Sequence, residues 1–308
     1  MKHPLKLTIL LISLFVITQL IGLYVVNFYI SDGVTIPYGF DQKEVAQLSW
    51  QYILPNIIFS FILAILLIFI LMKFKLNWII KIWFFVVIAF ALGITLNTLT
   101  ITANLIYPTY IALAIGILLA FFKMFRTNPI IHNLTEILIY PGIAAIFVTI
   151  FNWWITIIIL ILISIYDIWA VWKSGIMQKM AKFQIDNLGV LGGFMIPYAS
   201  KKVKEKIKFL RLKYQAAGKI PANVIKKNKL KIALAILGGG DVVFPIIAAG
   251  VMLKTLGILP ALCVTAGATL SLIYLLLTAE KKKFYPAMPY LTVGILAGML
   301  VSYILSLI

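Results

Sequence analysis

Nine runs of mostly apolar residues divide this chain, at roughly 6–30, 51–72, 77–97, 103–122, 129–150, 153–173, 230–253, 258–278 and 286–308. Each is long enough to cross about 30 Å of hydrocarbon as a helix rising about 1.5 Å per residue. With 63% hydrophobic residues and a mean hydropathy of +1.08, a 308-residue chain cannot hide its apolar surface in a soluble interior. The expected fold class is all-α: a polytopic membrane protein of nine transmembrane helices. The first run is too long for a signal-peptide core and has no small-x-small site near Ser31, so it is expected to stay as a helix.

Charge checks the count. Lys2 and Lys6 precede the first run, Lys73 and Lys75 follow the second, and Lys123 and Arg126 follow the fourth. The stretch 174–229 follows the sixth, and Lys281 to Lys283 follow the eighth. The opposite side carries only Lys43, set among Asp32, Asp41 and Glu44, and Lys254. This alternation predicts a cytoplasmic N-terminus and an outer C-terminus. The net charge of +18 therefore follows membrane topology, and implies lipid rather than nucleic acid as the partner. Cys263 is the single cysteine, which excludes an internal disulfide and leaves it a small packing residue.

The chain divides into a six-helix part, 1–173, a basic cytoplasmic loop, 174–229, and a three-helix part, 230–308. Within the loop, residues 185–198 (IDNLGVLGGFMIPY) are moderately apolar but too short to span, and read as an interfacial or re-entrant segment. Residues 201–229 are basic. Val203, Ile207 and Leu210 keep helical spacing there, which suits either a helix lying on anionic lipid or a solvated loop.

Three acidic residues fall inside spans: Glu136, Asp167 and Asp241. Carboxylates in hydrocarbon are costly unless paired or hydrated, so each asks for a function. Asp167 lies six residues before Lys173, roughly 9 Å from the inner end of helix six. Asp241 lies ten residues after Lys231, roughly 15 Å along helix seven. Both are expected in the cytoplasmic half of the bilayer, on consecutive antiparallel helices. Two close carboxylates cannot both ionise and hold one proton between them. The ionised member can take a proton from water while the protonated one polarises a peptide carbonyl, which hydrolyses an amide without metal or cofactor. A secondary transporter or ion-leak channel also uses paired membrane acids, and the acids alone do not separate the two.

Gly238, Gly239 and Gly240 directly precede Asp241, in the run AILGGGDVVFPII. A glycine inside a helix costs about 1 kcal/mol against alanine. Glycines beside a buried acid fit a place where a second backbone approaches and water is admitted. A third feature is YPAMPYL, residues 285–291, where Pro286 and Pro289 remove two amide donors and favour an irregular, strand-like start to helix nine.

Together these pieces resemble the presenilin and signal peptide peptidase family of GxGD-type intramembrane aspartyl proteases. Tyr166-Asp167 is similar to the family's YD motif in helix six, and Gly238-Gly239-Gly240-Asp241 to its GxGD motif in helix seven. Pro286-Ala287-Met288-Pro289 is similar to the presenilin-like PALP opening of helix nine. Met288 stands there where leucine is usual, a change that keeps bulk and apolarity. The resemblance covers the helix count, the topology and the long loop after helix six.

It implies Asp167 and Asp241 as the catalytic pair and Tyr166 as a residue shaping the site. It implies that Gly238 and Gly240, around Gly239, let substrate backbone approach, and that 286–289 borders an unwound substrate. Transmembrane proteins or signal peptides are the implied substrates, and an extended substrate segment adding to a protein edge is the expected binding mode. The small size is similar to that of archaeal or bacterial members, which implies a prokaryotic cell membrane. The oligomeric state is not readable.

Other intramembrane proteases fit poorly. There is no HExxH pair for zinc, and no GxSG for a serine nucleophile. Prepilin-type peptidases share GxGD but lack the upstream YD helix and the downstream PAMP segment. His132 and Glu136 stand i, i+4 in helix five and read as a polar pair or a snorkelling helix end, not as a metal site.

Overall fold

The computed structural model describes residues 5–31, 34–40, 49–126, 128–175, 184, 189, 192–198, 233–280 and 285–305. Among these, nine helices are long and apolar enough to cross a membrane. They are α1 (Leu5–Ser31), α2 (Trp50–Lys73), α3 (Asn77–Thr102), α4 (Pro108–Phe125), α5 (Pro129–Ile150), α6 (Trp153–Ile168), α7 (Gly239–Leu256), α8 (Ile258–Thr278) and α9 (Met288–Leu305). A π-helical turn, Trp169–Lys173, continues α6. The chain is thus an integral, polytopic, all-α membrane protein, as its apolar runs predict.

Helix starts follow from local chemistry. Asn128 caps α5 by accepting from the Ile130 amide at 2.9 Å, with Pro129 at the first position, where its missing N–H costs nothing. Asn152 caps α6 in the same way, accepting from Ile155 at 2.9 Å. At the other end of α5, Lys254 of α7 donates to the carbonyls of Val148 at 3.1 Å and Thr149 at 2.9 Å. Those last-turn carbonyls have no intrahelical partner, so a lysine is held there by the helix end.

The chain splits into two compact units, Met1–Phe194 with Leu237–Ile308, and Met195–Ile236. In the larger unit α7 is the central helix: 61% of its span is buried, against 6% for α2 at the periphery. α1 and α5 pack on α7, with Leu11, Phe15 and Val26 of α1 and Ala144 and Val148 of α5 buried. α8 and α9 pack along a seam of small residues, where a methyl group at Gly298 would sit 2.6 Å from the Cys263 carbonyl oxygen.

The smaller unit holds, among the described residues, most of a two-stranded sheet of β1 (Gly193–Tyr198) and β2 (Ala233–Gly238). This corrects one sequence expectation: helix seven starts at Gly239 rather than near 230. Of the segment 185–198, residues 193–198 form a strand. Along β2, Leu234 and Ile236 are exposed while Ala235 and Leu237 are buried, the two-residue period of a strand. The sequence hides that period because all four residues are apolar. Residues 201–229, read from sequence as either a helix lying on lipid or a solvated loop, lie outside the described residues.

Candidate active site

The run of three glycines is not a helix interior. Gly238 ends β2 in extended conformation, at φ −62° and ψ 147°, and is the N-cap of α7. Gly239 and Gly240 are the first two helical positions, so Asp241 is the third. A carboxylate at this position reaches back to the N-cap amide, and the Gly238 amide faces the Asp241 carboxylate. The acid therefore sits at the positive end of a helix rather than in bare hydrocarbon. A methyl group at Gly238 would come within 3.0 Å of Asp241 Oδ2. One at Gly239 would meet the Tyr140 hydroxyl at 2.7 Å, whereas Gly240 has only the Phe244 ring nearby, at 3.8 Å.

Two further features shape the first turns of α7. Pro245 has no N–H for the carbonyl of Asp241, four residues earlier. Gln19 of α1, fully buried, donates to the Val242 carbonyl at 3.0 Å. Gln19 was missed by motif reading. Its signal was an amide in an apolar span, one of two there with Asn27, which earns attention only once its partner is known.

Asp167, the second-last residue of α6, is buried and serves another helix end. Its Oδ2 accepts from the Met288 amide at 3.1 Å, and the Ala287 amide also faces it. Ala287 is the residue whose carbonyl opens α9, accepting from Leu291 at 3.1 Å. Alanine has no capping side chain, and Pro289 has no amide. Asp167 supplies the missing cap from across the interface. One turn back, Ser164 and Thr292 share a hydrogen bond of 2.7 Å that clasps α6 to α9.

Asp167 and Asp241 lie close enough to interact through their charges. Pro286 and Met288 are buried, and the irregular start predicted for helix nine is found at 285–287. Tyr166 is in none of these bonds. It is half-exposed, 6.2 Å from the Trp169 ring, and lines an apolar cleft of about 470 Å³ with Ile57 and Phe61 of α2 and Phe147, Val243 and Phe244.

His132 and Glu136 share one face of α5, as their spacing predicts, and both are buried. Glu136 forms an ion pair with Lys123. Lys123, read from sequence as a cytoplasmic charge after helix four, is instead buried in the last turn of α4. Its ammonium also lies 3.2 Å from His132 Nδ1, and His132 Nε2 lies 2.8 Å from the Gly193 carbonyl, on which it donates. Among the described residues, no group of three or more His, Cys, Asp or Glu is placed to hold a metal.

The sequence model of the family described as signal-peptide peptidase, presenilin aspartyl protease matches residues 12–308. The chain belongs to that family. It is an intramembrane aspartic protease. Its fold is similar to that of a presenilin family intramembrane aspartate protease solved in two crystal forms. The C222 form has a TM-score of 0.57 over 97% of this chain and 99% of that one, at 16% identity. The P2 form has a TM-score of 0.58 over 96% of each, also at 16% identity. No curated protein matches the sequence. As a presenilin-family protease the chain acts on membrane-spanning substrates, and the helix-end carboxylates of α6 and α7 are the acids to weigh for its chemistry.

Proposed function

We propose that Asp167 and Asp241 are the catalytic pair, and that they hydrolyse peptide bonds within transmembrane segments or signal peptides by activating water. The observation that carries this reading is their arrangement: two carboxylates in mutual electrostatic range, each set against backbone amides at a helix start. Fixed amides hold a carboxylate in one orientation, which is what proton transfer at a defined atom needs.

One member is ionised and takes a proton from water as the water oxygen bonds to the peptide carbon. The other is protonated and gives its proton to the carbonyl oxygen. In collapse of the gem-diol intermediate the C–N bond breaks, the departing nitrogen takes a proton from the pair, and one of the two hydroxyls returns a proton to it. The products are a carboxylic acid and an amine, and the pair again holds one proton. No cofactor is needed.

Substrate has to be unwound for this. An extended substrate segment adding to a protein edge is the form in which an opened backbone would be held. Gly238 and Gly240 leave room for that backbone, and Pro286 to Pro289 border it. The apolar cleft beside Tyr166 suits the side chains of a membrane-spanning segment.

The charge pattern supports a cytoplasmic N-terminus, an outer C-terminus and a site in the cytoplasmic half of a prokaryotic cell membrane. In chain order we read a six-helix part, 1–173, a basic loop, 174–229, and a three-helix part, 230–308.

Cleavage of a single-span peptide in ¹⁸O-labelled water tests the chemistry. The reading expects a cut within the span and one ¹⁸O atom in the new carboxyl group. Failure to cut across several peptides and lipids overturns it.

A further inference from the structure

We propose that Tyr140 is a positioning residue for Asp241, locking the strand-to-helix corner from which that acid projects. The proposal rests on Asp241 being catalytic and adds a residue that no motif contains. Tyr140 lies on α5 in a stripe with His132 and Glu136, at i, i+4 and i+8, which places all three on one helix face. Each takes hold of something on that face. His132 holds the Gly193 carbonyl at the start of β1. The Tyr140 ring packs edge-on against Phe194, the next residue, with centroids 6.1 Å apart and planes at 75°. The Tyr140 hydroxyl fills the space over Gly239, where a Cβ would lie 2.7 Å from it. Glu136, tied to Lys123, anchors the stripe.

The corner is therefore gripped at the start of β1 and at the first residue of α7, two residues from Asp241. Residue 239 is the x of GxGD, a place that the motif leaves to any side chain. In this chain glycine there and tyrosine at 140 are complementary shapes. The Tyr140 hydroxyl is buried, faces the Glu136 carboxylate and the Gly193 backbone, and lies within electrostatic range of Asp241. Its packing over Gly239 adds shape to those contacts.

The test is a double-mutant cycle with the full chain in detergent, measuring kcat and KM on a single-span peptide, with Asp241→Asn as control. Tyr140→Phe keeps the ring on Phe194 and removes only the hydroxyl. It is expected to lower kcat about 10-fold with KM unchanged, as misplacement of a reacting group does. Gly239→Ala is expected to lower kcat further, because the methyl meets a buried hydroxyl. Combined with Tyr140→Phe, Gly239→Ala is expected to do less harm than alone, a non-additivity that a general loss of stability does not produce.

Wild-type kcat in Tyr140→Phe, or strict additivity in the cycle, overturns the proposal. If Gly239→Ala fails to fold in both backgrounds, Tyr140→Phe alone decides by its split of kcat from KM. An active Asp241→Asn control overturns the underlying reading instead, and so separates the two failures.

Discussion

Replacing Lys123 by methionine leaves the Glu136 carboxylate in a protein interior without its ammonium partner, with the His132 ring 3.8 Å away. Both side chains are only 2% exposed, so water does not screen the pair. At an effective dielectric of about 20 and a separation of about 4 Å, two unit charges attract by about 4 kcal/mol. Removing one partner of a buried pair destabilises by about 3–5 kcal/mol, because the remaining charge is stranded. The two figures agree, so Lys123→Met is expected to lose about 3–5 kcal/mol.

The double variant Lys123→Met, Glu136→Gln buries no charge. It is expected to return to within about 1 kcal/mol of the native protein, since neutral replacement of a buried pair is often harmless. Cys263 gives the assay. It is the chain's single cysteine and is only partly accessible, so a thiol-reactive dye that fluoresces on coupling reports unfolding on heating in detergent. The single variant should melt several degrees lower and the double should recover most of the difference. A double variant as unstable as the single would refute the reasoning, because stranded charge would then not be the cause.

Other outcomes follow from particular bonds. Met288→Pro removes the amide from which Asp167 accepts while keeping a residue suited to a first helical position, so kcat should fall at least about 10-fold, with a loss of about 1–3 kcal/mol in melting; Met288→Leu, which keeps the amide, should stay near native in both. Lys254→Met strands the last carbonyls of α5 and should destabilise by about 1–3 kcal/mol in the same melting assay, with activity retained below the melting range. Gln19→Leu removes the bond to the Val242 carbonyl and should lower stability by about 1 kcal/mol, with a fall in kcat that Gln19→Asn does not rescue, its amide being one methylene short.

The spans were legible because hydrocarbon thickness sets a length that apolar runs report directly. The start of α7 was not. ALAIL is apolar throughout, and a short apolar run reads equally as helix or strand. Its partner, β1, lies 40 residues upstream by first residues, so only long-range pairing decides. The glycines before Asp241 were visible, but their reasons differ. Gly238 makes room for the carboxylate and Gly239 for Tyr140, neither of which spacing reveals.

The i, i+4 relation of His132 and Glu136 was readable as one face, whereas Lys123 was counted as a loop charge because its partner sits on the next helix. The PAMP segment was recognised by its prolines. That Met288 and Ala287 lend amides to Asp167 belongs to packing between α6 and α9, which no local pattern encodes.

The central claim is that Asp167 and Asp241 act as a pair. Its most direct test is cleavage of one single-span peptide by the purified native chain, Asp167→Asn and Asp241→Asn, side by side in the same lipid, with melting confirming that both variants are folded. The account predicts a cut within the span by the native chain and none by either variant. Full activity in either folded variant would contradict it.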